Sequence, residues 1–356
     1  MSPSVLVAMS GGVDSSVAAC LLQEQGYEVI GSHMRLVHLD DVEHGCCGPA
    51  ARADAAEVAR IAGFPFEIVD LSTAFDRTVI ADFVAEHAAG RTPNPCARCN
   101  GEIKFGAFLE RADDLGVDLV ATGHYVRTLR DADGRVRLLR GLDAGKDQSY
   151  MLHMLGQREL RRSLFPVGDM PKAATREHAR RLGLPVADKP DSQELCFAPA
   201  GEAGAFVRGR APELVHAGTV VDPDGRVLAE HDGTFGFTIG QRRGLGVALG
   251  EPAYVLGTDA ATNRVVVGPA ELLSKRALDA DRVSWVTGGP PGDGPFEAVV
   301  RVRSHGEYID AVVTVRDADT VEIAFRSPQR ALAPGQSAVI YRGDEVLGGG
   351  RIVATR

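Results

Sequence analysis

Ser10-Gly11-Gly12-Val13-Asp14-Ser15-Ser16 decides the fold of this chain, because it stands between a strand pattern and a helix pattern. The upstream run Val5-Leu6-Val7-Ala8-Met9 is apolar throughout, which is typical of a strand buried on both faces of a parallel sheet. Downstream, an apolar helical pattern begins at Val17 and ends near Gly26. A strand, a glycine turn and a helix in this order predict an α/β unit.

The residues of this turn are suited to binding an anion. Two glycines allow the backbone to approach closely, and the amides at the start of a helix point toward whatever binds there. The serines add hydroxyl donors, and Asp14 can hold a magnesium ion on a bound phosphate. No lysine follows the glycines, so this is not the G-x-x-x-x-G-K-[ST] phosphate loop. A plain strand–turn–helix corner would explain the glycines but not an aspartate beside three serines.

Length and composition limit the classes of protein to consider. The 356 residues predict two or three domains, and 44% hydrophobic with 24% charged residues is the composition of an ordinary globular protein. No apolar run approaches a membrane span, and the first strand begins too early for a signal peptide. Six cysteines are too few for a disulfide scaffold, so we expect a cytoplasmic protein without a membrane partner. The net charge of −9 argues against a general nucleic-acid coat but leaves a local basic surface open.

Strand and helix patterns alternate through the first half of the chain. This predicts a doubly wound α/β domain, a parallel sheet with helices on both faces. Ligands bind beyond the carboxyl ends of such strands, where the glycine turn, Met34 and Gly123-His124 are all expected. Beyond about residue 210, short β-rich runs separated by turns predict two small barrel-like modules. We predict a catalytic domain over 1–205, with an arginine-rich helical segment at about 157–185, a β-rich domain over 206–272 and a β-barrel domain over 273–356.

Cysteines in two distant stretches allow three interpretations. A proline-rich stretch, 92–100, carries the C-x-x-C pair Cys96 and Cys99, and Cys196 lies far along the chain. As zinc ligands the pair would need two more partners, from Cys46-Cys47 or a histidine. As inert core residues they are disfavoured by the proline, asparagine and arginine around them. As redox-active thiols they would act with Cys196, if the two stretches meet beside the nucleotide.

The motifs of the chain resemble those of a known family. S-G-G-x-D-S at the glycine turn resembles the pyrophosphate-binding loop of the ATP-pyrophosphatase (PP-loop) enzymes, whose domain is adenine nucleotide alpha hydrolase-like and which adenylate an oxygen with ATP. The whole set, in order, is similar to that of the bacterial tRNA-specific 2-thiouridylases. The motifs of this chain that carry the resemblance are S-G-G-V-D-S-S at 10–16, T-P-N-P-x-x-x-C-N at 92–100, I-K-F at 103–105, A-T-G-H-Y at 121–125, G-x-D-x-x-K-D-Q-S-Y at 141–150, S-Q-E-L-C-F at 192–197 and F-T-I-G-Q-R-R-G-L at 237–245.

The resemblance implies a tRNA-uridine 2-sulfurtransferase. The 2-carbonyl oxygen of the wobble uridine is adenylated by ATP, sulfur is delivered from a persulfide, and AMP and pyrophosphate are released. The position of Cys196 carries the persulfide. The position of Cys99 is a nucleophile that either frees the sulfur or closes a Cys99–Cys196 disulfide. The chemistry fits the residues, because an amide-like carbonyl is a poor electrophile until it is activated.

The resemblance also implies binding residues and partners. The partners are tRNA and a sulfur donor, either a cysteine desulfurase or a sulfur-relay protein, and the cofactors are ATP and Mg²⁺. The target base is flipped out of its stack and contacts the positions of Asn94, Pro95 and Cys96. The positions that match ATP contacts are Ala8, Met9, Ser10, Gly11, Gly12, Val13, Asp14, Ser15, Met34 and Gly123, and those that match tRNA contacts are Asn94, Pro95, Cys96, His124, Lys146, Asp147, Gln148, Arg303 and Gln336.

The chain departs from the family at one position. Many relatives carry aspartate at the position of Cys96, so this chain has a third cysteine there. The extra thiol is either a local variant or part of an iron–sulfur site with Cys99 and Cys196. Two other functions remain open: another PP-loop ligase that uses an amine, and a non-catalytic ATP-dependent RNA-binding protein. Neither of them gives a reason for the paired thiols.

Overall fold

The computed structural model describes residues 2–37, 48–191, 195–198, 201–247 and 250–356. Up to residue 210 its strands are β1 Ser4–Ala8, β2 Glu28–Arg35, β3 Phe66–Asp70, β4 Leu119–Ala121, β5 Val126–Arg130, β6 Val136–Arg140 and β7 Ser163–Leu164. The helices are α1 Val13–Glu24, α2 Pro49–Ala62, α3 Ser72–Phe75, α4 Ala81–Ala88, α5 Pro95–Cys99, α6 Phe108–Asp114, α7 Gln157–Leu160, α8 Lys172–Arg181 and α9 Ala203–Arg210. The π-helical turns Asp76–Ile80 and Asn100–Ala107 join α3 to α4 and α5 to α6.

The remaining strands form the second part of the chain. They are β8 Gly218–Val221, β9 Val227–His231, β10 Tyr254–Asp259, β11 Arg264–Gly268, β12 Ser274–Trp285, β13 Phe296–Arg301, β14 Ile309–Val315, β15 Val321–Arg330, β16 Ser337–Arg342 and β17 Glu345–Thr355. No helix among the residues that the structure describes combines the length and the apolar character needed to cross a membrane.

A five-stranded parallel sheet, in the order β3-β2-β1-β4-β7, forms the core of the first part. Alternate residues of β1 enter different cores, because side chains alternate across a strand. Val5 and Val7 pack with α1, α2 and α8, whereas Leu6 and Ala8 pack on the other face with α6. The predicted doubly wound α/β domain is confirmed, and its central strand is the one that leads into the glycine turn.

The arginine-rich segment at 157–185 differs from its prediction in the middle. It begins and ends in the helices α7 and α8, but between them lies β7, which pairs with β4 as an edge strand of the sheet. Pro166 and Gly168 interrupt the helical pattern. A side chain at Gly168 would place its Cβ 1.7 Å from the carbonyl oxygen of Val126, so the chain passes directly against β5 there.

The last six strands, β12 to β17, close into an antiparallel barrel because β12 pairs with both β15 and β17. The hairpin β5–β6 of the first part extends the same sheet from β17. We did not predict this hairpin, although Asp133-Gly134 between two alternating runs is a typical hairpin signal. Strands β8 to β11 form a separate four-stranded sheet with its own small apolar core. Both predicted β-rich modules are therefore present.

Candidate active site

The glycine turn joins β1 to α1 and leaves the first amides of α1 without a capping side chain. Gly12 occupies the N-cap position. The hydroxyls of Ser15 and Ser16 donate to the Gly12 carbonyl at 3.3 and 2.9 Å, and Ser10 Oγ lies 3.2 Å from Ser15 Oγ. The serines hold the turn in shape, while the open helix start is suited to an anion.

Two glycines of the site are required by close contacts. Gly11 has a φ of +70°, and a Cβ there would lie 2.0 Å from the carbonyl oxygen of Ala51. Gly123, after β4, lies against the glycine turn, because a Cβ on it would be 2.5 Å from the amide nitrogen of Ser15. The structure thus brings together the turns after β1 and β4, as expected for one edge of a parallel sheet.

Replacing Gly11 with alanine should destabilise the protein by about 3 kcal/mol. Alanine is strained at the positive φ of this position, and its Cβ would clash with the backbone of Ala51. Gly12→Ala is the matched control for stability, because a Cβ there meets only Ser10 Oγ at 3.5 Å. Thermal unfolding should give a clearly lower Tm for Gly11→Ala than for Gly12→Ala. Equal Tm values would show that the turn does not have the conformation described here.

The other residues expected to contact the nucleotide shape the same edge. Ala8, Met9 and Val13 are buried, so they can meet a ligand mainly through their backbone. Met34 lies near the end of β2, where it pairs with Val69, and it packs against two of the apolar clusters. These positions place the turn, the end of β2 and Gly123 around one site.

A chain of ion pairs leads from Asp14 across the site. Lys172 Nζ lies 2.6 and 2.7 Å from the two carboxylate oxygens of Asp14 and 2.8 Å from Asp191 Oδ1. Lys146 Nζ and Arg176 Nη2 lie 2.8 and 3.2 Å from Asp191. Burial opposes ionisation of Asp191, but hydrogen bonds from Lys146 and Lys172 outweigh it and lower the pKa of this carboxyl. The Asp191 carboxylate is therefore ionised at neutral pH.

Our sequence analysis missed Lys172, which is only 8% exposed. A compositional signal pointed to it, since only five of the 39 basic residues are lysines. Of these five, Lys172 and Lys189 contact the glycine turn, and Lys146 is linked to it through Asp191. Lys189 Nζ donates to the Gly11 carbonyl at 2.9 Å and pairs with Asp54 at 2.5 Å.

Tyr125 is a second residue that the sequence analysis did not assign to the site. Its hydroxyl donates to Asp14 at 2.9 Å, and burial raises the pKa of the phenol, so it remains protonated. The neighbouring His124 is also buried, and its Nδ1 lies 2.8 Å from Thr122 Oγ1. Burial, with a smaller effect of Lys104, lowers the pKa of His124 well below its ordinary value, so this imidazole is neutral at pH 7.

The cysteine stretch begins a helical run. Asn94 caps α5 by accepting a hydrogen bond from the amide of Ala97 at 3.2 Å, and Pro95 occupies the first turn. Cys96 is exposed, whereas Cys99, one turn later, is only 6% exposed.

Cys99 belongs to an apolar cluster against which Cys196 packs, although the two cysteines are 97 positions apart in sequence. Phe75, Phe83 and Phe197 form its centre, with ring centroids of Phe197 5.8 and 5.1 Å from the other two. Met34, near the end of β2, packs against the same cluster. The structure therefore places both thiols at the same apolar cluster.

The barrel holds the cysteine stretch from outside. Gln336 Nε2 donates to the carbonyls of Thr92 and Pro93 at 2.9 and 3.1 Å, and the Thr92 amide donates to the Pro334 carbonyl at 2.8 Å. Gly335 has a φ of +96°, and a Cβ there would lie 2.8 Å from the Thr92 backbone. Gln336, expected to contact tRNA, thus also positions the stretch that carries Cys96 and Cys99.

The other expected tRNA contacts differ in accessibility. Arg303 is exposed in the turn between β13 and β14, and Lys146 is half-buried in its pair with Asp191. Asp147 has a side chain only 3% exposed, and its Oδ2 lies 3.2 Å from Arg301 Nη1. The side chain of Gln148 accepts a hydrogen bond from the Tyr125 amide at 2.9 Å. The Asp147 carboxylate therefore joins the first part of the chain to the barrel, and the Gln148 amide contacts the backbone of Tyr125 in the site.

The cysteines do not form a metal centre in the part of the chain that the structure describes. No group of three or more His, Cys, Asp and Glu side chains is placed there to hold a metal ion. The iron–sulfur and zinc hypotheses thus gain no support from the geometry. Cys46-Cys47 lie outside the described residues. Cys20, in α1, is buried in the core of the first part.

Comparisons with known proteins agree with this architecture. Three family models match in order: a tRNA methyl transferase HUP domain over 3–200, a tRNA methyl transferase PRC-barrel domain over 205–269 and an aminomethyltransferase beta-barrel domain over 275–352. The chain is 49% identical to tRNA-specific 2-thiouridylase MnmA of Mycolicibacterium gilvum over 99% of both chains, and 47% identical to that of Chloroflexus aurantiacus over 98% of both. Among solved structures it resembles a 4-thiouridine synthetase–RNA complex with bound ATP, with 17% identity and a TM-score of 0.35, over 59% of this chain and 51% of that one.

Proposed function

The chain belongs to the tRNA-specific 2-thiouridylase family, and we propose that it thiolates the wobble uridine of tRNA through an adenylated intermediate. The observation that carries this proposal is the apolar cluster that contains Cys99 and against which Cys196 and Met34 both pack. An activated base at this edge would lie within reach of both the nucleotide and the thiols. The membership itself makes the chain a tRNA sulfurtransferase with a PP-loop domain.

In the first step, the 2-carbonyl oxygen of the uridine attacks the α-phosphorus of ATP and pyrophosphate leaves. The open amides of α1 and the hydroxyls of Ser10 and Ser15 would bind the phosphates. Lys172 would supply the positive charge that the glycine turn lacks, by moving from Asp14 to the departing pyrophosphate. The adenylate then provides a good leaving group at C2.

Magnesium fits this site as a companion of ATP. Mg²⁺ usually takes one or two carboxylates and completes its octahedral shell with phosphate oxygens and water. Asp14, in the first turn of α1, is the carboxylate that we propose for it. An iron–sulfur cluster at Cys96, Cys99 and Cys196 does not fit the described geometry, so we assign it no step.

In the second step, a persulfide on Cys196 delivers its outer sulfur. If this sulfur attacks C2 directly, AMP leaves and Cys99 then attacks Cys196 Sγ to release the 2-thiouridine. If Cys99 attacks Cys196 Sγ first, hydrosulfide is released and attacks C2. Both routes end with a Cys99–Cys196 disulfide, because the transferred sulfur takes up two electrons from the two thiols.

The tRNA would lie over the cysteine stretch and the barrel. Asn94, Pro95 and Cys96 would meet the flipped base, and Arg303 would meet the anticodon arm from the barrel surface. Gln336 would transmit contact with the arm to the cysteine stretch through Thr92 and Pro93. The remaining tRNA contacts that we propose are His124, Lys146, Asp147 and Gln148.

The domain boundaries that we propose are 1–205, 206–272 and 273–356. They agree with separate sheets over 218–268 and 274–355, although the hairpin β5–β6 of the first domain joins the barrel sheet. We further propose a cytoplasmic location and a cysteine desulfurase or sulfur-relay protein as the sulfur donor.

One assay tests the proposal. The purified protein is incubated with unmodified tRNA, ATP, Mg²⁺ and a persulfide source, and the tRNA is run on a mercury-containing gel. Thiolated tRNA should migrate more slowly only when ATP is present, with AMP and pyrophosphate formed in proportion. Consumption of ATP without retarded tRNA would favour another PP-loop ligase, and tRNA binding without either product would indicate a non-catalytic RNA-binding protein.

A further inference from the structure

We propose that Cys96 is the resolving thiol of this enzyme: it attacks the Cys99–Cys196 disulfide and moves it to the protein surface as a Cys96–Cys99 disulfide. The inference rests on the proposed function, since that reaction generates the first disulfide. It concerns a step after sulfur transfer, which none of the residues assigned above performs.

The first argument is position on the helix. Cys96 and Cys99 are three residues apart in α5, so their side chains lie on one face, with Cβ atoms about 5–6 Å apart in a regular helix. A disulfide needs a Cβ separation of about 3.8 Å. The pair lies in the first turn, after a cap made by Asn94, so only that turn has to tighten for the bond to close.

The second argument is accessibility. Cys99 is buried and Cys196 is half-buried in the cluster of Phe75, Phe83 and Phe197. A disulfide between them is therefore less accessible to a reductant in solution than one that contains an exposed cysteine. Cys96 is exposed at the other end of the same helical turn. A dithiol from solution can reach a disulfide that contains Cys96, because thiol–disulfide exchange requires access to one sulfur along the S–S axis.

The chemistry balances in two exchanges. The Cys96 thiolate attacks Cys99 Sγ, the Cys99–Cys196 bond breaks, and Cys196 leaves as a thiolate that takes up the proton released by Cys96. An external dithiol then reduces the Cys96–Cys99 disulfide to two thiols and is itself oxidised to a disulfide. Cys196 becomes available for a new persulfide after the first exchange, before any reductant has acted.

Disulfide mapping tests this proposal. The enzyme, loaded with persulfide, reacts once with tRNA and ATP without reductant, is quenched in acid and alkylated, and its linked peptides are identified by mass spectrometry. Wild type should yield the Cys96–Cys99 link and Cys96→Ser the Cys99–Cys196 link. With limiting dithiothreitol, the ratio of the multiple-turnover rate to the first-turnover rate should fall at least about 10-fold in Cys96→Ser.

Glu102→Gln is the matched control, because Glu102 pairs with Arg98 on the same helical run and its side chain cannot take part in thiol–disulfide exchange. It should keep the wild-type link and the wild-type ratio of rates. A wild-type enzyme that ends with the Cys99–Cys196 link, or an unchanged ratio in Cys96→Ser, overturns the proposal. Absence of thiouridine in the first turnover of wild type would instead refute the proposed function, so the two failures can be told apart.

Discussion

Replacing Cys196 with serine is expected to lower tRNA thiolation by at least about 1,000-fold, because the nucleophilic atom that carries the sulfur is lost. ATP-dependent formation of pyrophosphate should continue with tRNA present, since adenylation precedes sulfur transfer. Retardation on the mercury gel and release of radiolabelled pyrophosphate would measure the two steps separately.

Cys99→Ser should lower thiolation by a similar factor but with a different end point. If the persulfide attacks C2 directly, tRNA should remain joined to Cys196 through a disulfide that dithiothreitol cleaves. If hydrosulfide is the attacking species, no such adduct forms. Cys20→Ala, which removes a buried cysteine outside the site, is the control and should retain activity. Thiolation at the wild-type rate by both the Cys99 and the Cys196 variants would rule out the thiol mechanism.

Replacing Lys172 with alanine is the second change with a large expected effect. Its ammonium lies against both Asp14 oxygens and is nearly buried, so it would act on developing phosphate charge in a site with little water. Removing one such group typically costs about 100- to 1,000-fold in rate. We expect a loss of this size in kcat for AMP formation, with a smaller change in KM for ATP.

Lys275→Ala is the matched control, because Lys275 is a lysine of β12 in the barrel, far along the chain from the turn. A purely structural role of Lys172 would instead lower the Tm and the tRNA affinity together with the rate. Lys172→Arg, which keeps the charge but not its compact shape, should recover only part of the activity. Wild-type AMP formation by Lys172→Ala would show that the ammonium does not act on the phosphates.

The sequence was sufficient to predict the features that depend on local pattern. The apolar run before the glycine turn predicted β1, and the structure places it at the centre of the sheet with Val5 to Val7 fully buried. Gly26 predicted the end of α1, which finishes at Glu24, and Gly26 has a φ of +90°. These predictions succeed because strand burial and helix termination are decided by a few neighbouring residues.

The sequence was a weaker guide to segments whose conformation depends on the strands with which they pair. The strand β7 has only two residues, and it exists because β4 offers it a free edge. The hairpin β5–β6 carried a local turn signal, but its pairing with β17 joins residues more than 200 positions apart. Short segments of this kind are stabilised by what they pair with more than by their own sequence.

The motifs alone determined the chemical types at this site: an anion-binding turn without a lysine, a carboxylate, and thiols in two distant stretches. Only the tertiary structure decided which groups meet. It placed Lys172 on Asp14, Cys99 and Cys196 in one apolar cluster, and Gln336 on the backbone of Thr92. The physical reason is that side-chain contacts across long loops depend on how whole layers pack, whereas the reactivity of a thiol or an ammonium is a property of the residue itself.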